Sequence, residues 1–370
     1  MGILAFIVVL VALIVAHEFG HFAVAKWSGM RVDEFGLGYP PRAMTVAKRG
    51  ETAYTLNWLP FGGFVKIYGE DPSAELGAGG RMDPRAFGAR PRILQAAVLV
   101  AGVLMNLLVA YALLTGLLVA GTPRALAPGE LARAKDLTLG VSAVLPGSPA
   151  AAAGIAPGDL IVSATDATGS WSAAADPAGF TDFVRQSAGA PVTLTLKHAD
   201  KLETLAVAPA TGLVAEDPAR YALGVEVGAV GVVPLSLPRA LVEGARLTWG
   251  TTALTAGALW HFFASIFVGR ADFSEVAGPV GIAGVVGGAA RSGLGELLSI
   301  TALISINLAL INLLPIPALD GGRLLFVLIE GALRRPLPAS FARAAASVSF
   351  ALLVLLMLVV TAHDIYKIVG

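Results

Sequence analysis

Two histidines and a glutamate near the amino terminus have the spacing of a zinc-hydrolase site. His17, Glu18 and His21 belong to the pentad H-E-F-G-H. On a helix, His17 and His21 are i and i+4 neighbours on one face, so both imidazoles can bind one Zn²⁺. Glu18 then lies beside the metal, where a carboxylate can activate water for attack on a carbonyl. The pattern therefore indicates metal-assisted hydrolysis.

The pentad directly follows an uncharged apolar run, Ile3 to Ala16. Ionisable groups at membrane depth cost free energy and are expected to be functional, so this chemistry is predicted inside a bilayer. A secretory signal peptide is the alternative, because the run is short and Ala23-Val24-Ala25 has the small-x-small pattern of a cleavage site. The absence of Lys or Arg before the run, and the polar pentad after it, argue against a signal peptide.

A third metal ligand is required, since catalytic zinc uses three protein ligands and water. The chain has no cysteine, which leaves His, Asp and Glu as candidates. Asp320 is the only acid of the stretch N-L-L-P-I-P-A-L-D-G-G at 312–322. Pro315 and Pro317 interrupt helical hydrogen bonding there, and irregular backbone at membrane depth is tolerated where it is buried or lines a cavity. Asp320 is therefore the predicted third ligand; the alternative is an N-cap of a helix beginning near Gly321.

The composition predicts the elements that must position these residues. The chain has 370 residues, of which 56% are hydrophobic and 14% are charged, whereas soluble proteins carry about 25% charge. Three further uncharged segments reach the roughly 20 residues of a membrane-spanning helix: Ile93 to Ala120, Leu297 to Leu319 and Ala344 to Ala362. With the first run, four transmembrane helices are predicted. Basic and acidic residues both total 26, and we expect a lipid bilayer but no nucleic acid as a partner.

The short connections predict the orientation in the membrane. Ten basic residues lie within 26–92, and four more follow the third predicted crossing. The positive-inside rule places both connections in the cytoplasm. Both termini and the long segment 121–296 are then extracytoplasmic, and the pentad lies toward the cytoplasmic side.

Two segments between the predicted crossings allow two interpretations each of their relation to the membrane. Phe35 to Gly69 has strand patterns around the turn signal Lys48-Arg49-Gly50-Glu51. We interpret it as a β-hairpin region that dips toward the metal site; the alternative is an independent cytoplasmic hairpin. Leu237 to Val268 could be a fifth crossing, but that would place the two basic connections on opposite sides. An amphipathic helix on the outer surface is therefore preferred.

Several motifs resemble one known protein family. The pentad, the 312–322 stretch and the segment 141–161 (V-S-A-V-L-P-G-S-P-A-A-A-A-G-I-A-P-G-D-L-I) resemble the site-2 protease family of intramembrane zinc metalloproteases. The chain is most similar to the bacterial branch that cleaves anti-sigma factors. Gly62 to Lys66 matches the family's membrane-associated β-hairpin region, and Gly278 to Ile282 matches the approach to its third core helix. The resemblance covers nearly the whole chain.

The resemblance implies a multi-pass α-helical membrane protein with four transmembrane helices, a cytoplasmic-side membrane-associated β-hairpin region and one inserted extracytoplasmic PDZ-like β-rich domain. The implied domain boundaries are 1–120 for the N-terminal membrane part, 121–236 for the PDZ-like domain, 237–296 for an amphipathic linker and 297–370 for the C-terminal membrane part. Thr138 to Val141 would be the loop that receives a peptide terminus. The alternative is that the PDZ-like domain excludes large substrates by size and binds no peptide.

The resemblance also assigns roles to single residues. His17, His21 and Asp320 would bind Zn²⁺, and Glu18 would be the general base. Asn312 would lie near the substrate, although an interhelical hydrogen bond is an equal alternative. An extended substrate could pair with the strand edge formed by the substrate-binding candidates Gly62, Gly63, Phe64, Val65 and Lys66.

The implied function is regulated intramembrane proteolysis in the bacterial inner membrane. The substrate would be a single-pass transmembrane protein resembling an anti-sigma factor, cleaved within its membrane segment after a first cleavage elsewhere. One alternative is a non-proteolytic adaptor that uses the PDZ-like domain, although three ligand candidates rather than four favour an open metal position. Another is an ion transporter, but the inverted repeats of that class are not seen in the sequence. The sequence does not specify the oligomeric state.

Overall fold

The computed structural model of the chain describes residues 2–70, 83–121, 123–126, 128–172, 175–198, 201–214, 217–267 and 278–369. Contacts divide the chain into two compact units. The membrane unit consists of Met1–Gly116 together with Leu241–Gly370, and the inserted unit is Leu117–Ala240. Residue 268, the last of the predicted surface segment, lies outside the described residues. The domain boundaries inferred from the resemblance stay predictions.

Long helices dominate the membrane unit. They are α1 (Gly2–Trp27), α2 (Arg92–Ala120), α5 (Leu237–Phe267), α6 (Pro279–Ser292), α7 (Leu294–Leu313), α8 (Asp320–Leu333) and α9 (Ala339–Val369). Among the described residues, four helices are long and apolar enough to cross a membrane, namely α1, α2, α7 and α9. This confirms the prediction of a membrane protein with four candidate spans. The position of α5 relative to the membrane stays a prediction.

The third candidate span ends earlier than the sequence predicts. The uncharged segment continues to Leu319, but α7 ends at Leu313. Leu314 is extended, with φ −61° and ψ 143°, because a proline at the next position disfavours the helical conformation of the residue before it. The chain then turns and starts α8 at Asp320. The predicted span was therefore too long at its end, since hydropathy alone does not register the two prolines.

A long hairpin packs against the first helix. Its strands are β1 (Val32–Arg49) and β2 (Thr52–Ile67), which pair antiparallel. Gly50 has φ +60° and forms the turn, at the position that the sequence predicts. Phe22 of α1 contacts Phe35 and Tyr54 of the two strands, with ring centroids 5.5 and 6.0 Å apart. These contacts hold β2 beside α1.

The inserted unit is an antiparallel sheet with two short α-helices. The strands are β3 (Pro123–Ala125), β4 (Lys135–Val144), β5 (Leu160–Thr165), β6 (Ser170–Ser172), β7 (Val192–His198), β8 (Lys201–Val207) and β9 (Val225–Val232), and the helices are α3 (Pro149–Ala152) and α4 (Pro177–Gln186). The strand order is β3-β9-β4-β5-β7-β8, with β6 paired to β5. Alternating side chains of β7 are buried in the core, as the period-two pattern predicts.

The segment Thr138 to Val141 lies inside this sheet. Leu139 pairs with Ala229 on β9 and with Ile161 on β5. Gly140 pairs with residues of the same two strands. Because both edges of β4 are paired here, its backbone groups are not free to receive a peptide. The prediction that this segment is a peptide-receiving loop is therefore wrong.

Two leucines on neighbouring strands test the core of the inserted unit. Leu194 of β7 is 1% exposed, whereas Leu202 of β8 is 67% exposed. Leu194→Ala is expected to lower the free energy of unfolding by about 2–5 kcal/mol, because it leaves a cavity. Leu202→Ala is expected to change it by less than about 0.5 kcal/mol. Amide hydrogen exchange of β4, β5 and β7 in the full-length protein measures both, and equal effects would contradict the assigned core.

Candidate metal centre

Three side chains from opposite ends of the chain converge on one point. His17 and His21 lie on α1, and Asp320 is the first residue of α8. His17 Nε2 is 3.0 Å from Asp320 Oδ2, and His21 Nε2 is 3.1 Å from the same oxygen. The two Nε2 atoms are 3.1 Å apart. Both histidines are buried, so these contacts are shielded from bulk water.

The triangle has the size that a small divalent cation requires. Zinc bonds of about 2.0–2.2 Å in a tetrahedral arrangement place two ligand atoms roughly 3.3–3.6 Å apart. The observed separations of 3.0–3.1 Å are close to that distance. Among the described residues this is the only group of three or more His, Asp or Glu side chains that could hold a metal ion. Three donors leave one position open, as in catalytic zinc sites.

The carboxylate of Asp320 faces the histidines and does not cap a helix. The N-cap of α8 is Leu319, and no side-chain cap hydrogen bond is present. The alternative interpretation of Asp320 as an N-cap is therefore wrong. The cause is local, because α8 begins one residue earlier than that interpretation requires.

Two glycines bring Asp320 to this position. A Cβ at Gly321 would lie 2.2 Å from the carbonyl oxygen of Leu313, at the end of α7. A Cβ at Gly322 would lie 2.2 Å from the carbonyl oxygen of Ile316. Such distances exclude any side chain, so only glycines allow α8 to start this close to the end of α7. The D-G-G sequence thus places the predicted ligand Asp320 at a tight turn between α7 and α8.

Helix α2 approaches the two imidazoles with its backbone. A Cβ at Gly102 would lie 2.4 Å from Nε2 of His21 and 2.7 Å from Cε1 of His17. A Cβ at Gly20 of α1 would lie 2.4 Å from the carbonyl oxygen of Ala101. A glycine on each helix therefore permits a close approach of α1 and α2. The backbone of α2 therefore lies directly against the two imidazoles.

A backbone carbonyl of α2 fixes one imidazole. His21 Nδ1 is 2.8 Å from the carbonyl oxygen of Val98. A carbonyl only accepts hydrogen bonds, so Nδ1 carries the proton and donates it. The lone pair of a neutral His21 is then on Nε2, the atom that faces Asp320. This is the outer-shell arrangement that metal-binding histidines generally use.

A cavity of about 170 Å³ opens beside the triangle. Glu18, His21 and Asp320 line it. One wall is strand β2, which contributes Gly63, Phe64 and Val65. Three predicted site residues of the helices and three residues of the predicted strand edge thus line the same cavity.

An ion pair lines the same cavity. Arg323 of α8 donates to a carboxylate oxygen of Glu70 at 2.6 Å, and both residues belong to the lining. Neither residue was singled out from the sequence. Because they are separated by more than 250 positions, no local pattern signals their contact.

The remaining predicted residues are not brought to the cavity. Gly62 and Lys66 flank its strand wall but are not among its lining residues. Lys66 is exposed. Asn312 lies near the end of α7, and it does not line the cavity either. The substrate roles of all the residues singled out on the strand and at 312 stay predictions.

Sequence reasoning missed the face of α2 that encloses the histidines. Val98, Gly102 and Asn106 follow each other at intervals of four, which places them on one face of the helix. Asn106 is fully buried, and its side-chain nitrogen is 3.3 Å from Nδ1 of His17. A polar residue inside the uncharged segment could have indicated that this face of α2 lies at the site. The backbone carbonyl of Val98 and the missing Cβ of Gly102 give no such indication in the sequence.

Comparison with known proteins identifies the family. The sequence model of peptidase family M50 matches residues 5–356. A Nostoc protein provisionally named a zinc metalloprotease is 36% identical, over 91% of this chain and 88% of its own length. A Clostridium perfringens protein with the same provisional name is 34% identical, over 96% and 95% of the two chains. The zinc metalloprotease RasP of Shouchella clausii is 27% identical, over 99% of each chain.

These matches confirm the resemblance noted from the motifs, and they confirm zinc as the cofactor. They extend over both metal motifs, because the family match begins before His17 and ends after Asp320. This chain is a membrane zinc metalloprotease and belongs to peptidase family M50, the site-2 protease family.

Proposed function

We propose that this protease hydrolyses a peptide bond within the transmembrane segment of a single-pass membrane protein. One observation carries the proposal: a metal-sized triangle of two histidines and an aspartate lies beside Glu18, on a helix that is apolar enough to span a membrane. Water is scarce at membrane depth, so a hydrolytic site there serves substrates that are themselves in the membrane.

His17, His21 and Asp320 are the proposed zinc ligands. Their three donor atoms lie within 3.1 Å of one another. No other His, Asp or Glu of the described residues belongs to this group. When bound, zinc supplies a Lewis acid that polarises a carbonyl and lowers the pKa of water to about 7. The protein contributes the fixed orientation of the ligands, through the Val98 carbonyl and the glycines that surround them.

Glu18 is the proposed general base. It lines the cavity together with His21 and Asp320, so its carboxylate faces the space where a substrate carbonyl must enter. A carboxylate oxygen of Glu18 accepts a proton from the attacking water, and it then donates that proton to the nitrogen of the leaving amine. Glu18 is next to a ligand in sequence but points to the cavity.

Strand β2 is the proposed surface for the substrate. Gly63, Phe64 and Val65 form a wall of the cavity, and a Cβ at Gly63 would lie 3.3 Å from Cγ of Glu18. An extended peptide beside this wall would be close to the general base. Addition of a peptide as a further strand supplies main-chain hydrogen bonds to a segment that has lost its helical ones. Gly62 and Lys66 flank this stretch.

The proposed substrate is similar to an anti-sigma factor, cut after a first cleavage has removed its outer part. This identification depends on the resemblance of the chain to that bacterial branch. The basic residues within 26–92 support a cytoplasmic side for the metal centre and an extracytoplasmic inserted unit, in the inner membrane. We infer that this unit is the PDZ-like domain of the family.

The general base is tested by Glu18→Gln in the full-length protein, reconstituted with a labelled single-pass substrate. We expect cleavage to fall about 10²–10⁴-fold, because glutamine cannot accept the proton. Zinc content should stay at the wild-type level, since Glu18 is not a ligand. Glu296→Gln, at an exposed position of α7, is the matched control and should cleave normally.

Mass spectrometry of the products locates the cut. Products cut only outside the membrane segment would refute the intramembrane reaction, and full activity of Glu18→Gln would remove this residue from the mechanism.

The third ligand is tested by Asp320→Asn. Loss of the carboxylate should weaken zinc binding by more than the roughly 10–100-fold that is typical of outer-shell changes. Metal analysis after dialysis against a chelator measures it. Asp364→Asn is the control, because Asp364 is also a buried acid but accepts a hydrogen bond from the N–H of Gly281 at 2.8 Å. Equal zinc retention in both variants would exclude Asp320 as a ligand.

The close approach of α2 is tested by Gly102→Ala. The new methyl group would meet Nε2 of His21 at 2.4 Å, so the imidazoles must shift. We expect zinc affinity to fall about tenfold or more, the scale of outer-shell damage. Gly116→Ala, on the same helix with nothing within 4 Å of the new Cβ, should retain wild-type affinity. If Gly102→Ala binds zinc as tightly as Gly116→Ala, the helices are not constrained as described.

A further inference from the structure

Asn106 is a fully buried amide in the middle of α2, next to a proposed metal ligand. It is 0% exposed, and its side-chain nitrogen is 3.3 Å from Nδ1 of His17. Its side-chain oxygen is buried and has no hydrogen-bond partner among the described residues. Buried polar atoms are rarely left without a partner. This oxygen therefore requires an explanation.

The chemistry of His17 supplies one. Its Nε2 is 3.0 Å from Asp320 Oδ2, so Nε2 is the atom that faces the metal position. To bind a metal, Nε2 must offer its lone pair, and a neutral imidazole then carries its proton on Nδ1. An Nδ1–H group cannot accept a hydrogen bond from the amide nitrogen of Asn106. It can donate one to an oxygen.

Half a turn of the Asn106 amide resolves the conflict. The amide nitrogen and oxygen have nearly the same size and exchange places in this rotation. The oxygen then lies beside Nδ1 of His17, where it accepts the proton that the metal-binding tautomer must donate. The oxygen gains the partner that it otherwise lacks, and the amide nitrogen moves to the oxygen's former place, where no hydrogen-bond donor of the described residues competes with it.

We propose that Asn106 is a positioning residue of the zinc centre. Its side-chain oxygen accepts a hydrogen bond from Nδ1–H of His17 and selects the tautomer in which Nε2 binds zinc. This inference rests on the proposed zinc ligation by His17. Helix α2 then serves both ligands in the same way, because the carbonyl of Val98 accepts from Nδ1 of His21 at 2.8 Å.

The surrounding packing fixes Asn106 in place. Ser305 of α7 donates from Oγ to the backbone oxygen of Asn106 at 2.7 Å, and both residues are 0% exposed. This bond ties α2 to α7 at the level of the histidines. The backbone of Asn106 is therefore held in place, and its side chain reaches His17 from a fixed position on α2.

The test compares zinc affinities of full-length variants in detergent, by competition with a chelator. Asn106→Leu has a similar volume but no acceptor, and we expect zinc to bind about 10–100-fold more weakly. Asn106→Asp keeps an acceptor oxygen, and its affinity is expected to stay within about threefold of wild type or to rise. Thr115→Val is the control, because Thr115 is another buried polar residue of α2 and lies away from the metal group.

The rescue by aspartate separates positioning from packing. If the Asn106 amide served packing alone, leucine in an apolar helix would be tolerated better than a buried carboxylate. Zinc affinity would then be higher in Asn106→Leu than in Asn106→Asp, which is the reverse of the order expected for a positioning residue. The visible absorption of the cobalt-substituted protein gives a second readout, since it reports ligand geometry. We expect it to change in Asn106→Leu and to match wild type in Asn106→Asp.

Zinc affinity of Asn106→Leu within twofold of wild type would overturn the proposal, as would equal losses in the leucine and aspartate variants. If Asn106→Leu does not fold, as judged by circular dichroism and gel filtration, the smaller Asn106→Ala replaces it and the same comparison decides. Failure of the proposed function looks different: the zinc affinities would follow the expected order, while no membrane substrate is cleaved.

Discussion

The membrane unit depends on three electron-rich atoms that are held within 3.1 Å of one another. Two imidazole nitrogens and a carboxylate oxygen repel each other when their lone pairs point to the same place, and an apolar setting strengthens that repulsion. A cation between them turns the repulsion into binding. The arrangement therefore suits a bound cation, which fits the family to which the chain belongs.

Packing of the surrounding helices holds these three atoms together. One buried cluster contains Ala25 of α1, Val98 and Leu99 of α2, and Val327 of α8, so the three helices around the site share a core. The glycines Gly20 and Gly102 let the backbone of α2 lie directly against α1 and the imidazoles. Because core packing resists displacement, the apolar contacts around the ligands keep the three donor atoms close together.

Two buried polar side chains elsewhere in the membrane unit have hydrogen-bond partners on other helices. Without water, each buried polar group needs an internal partner. Ser305 donates to the backbone of Asn106, and Asp364 of α9 accepts from Gly281 at the start of α6. Both bonds join different helices. Polar residues within helix bundles are expected to form interhelical hydrogen bonds, and these two bonds are examples. For Asn312, which lies near the end of α7, such a bond stays a prediction.

The sequence could predict the parts of the site that depend on local spacing. The i and i+4 histidines follow from helical periodicity, and Asp320 follows from counting ligands rather than from any contact across 303 positions. The end of α7 was misjudged because hydropathy outweighed two prolines. Thr138 to Val141 was misjudged because its assignment as a loop came from the resemblance alone, whereas the sheet order places β4 in the interior. The acceptor at Val98 is a backbone atom, which no residue type encodes.

The hydrogen bonds of a helix limit what a substrate can be. In an intact transmembrane helix the main-chain carbonyls accept hydrogen bonds from within the helix, and the side chains around them shield them from attack. Under the proposed function, a cleaved bond must therefore lie in a segment that has left the helix. Unwinding exposes main-chain groups that have no water to bind, and the strand wall at 63–65 lies where it could pair with them. Under the proposed function, residues that weaken the substrate helix, such as glycine and proline, thus belong near the cut, because they lower the cost of that unwinding.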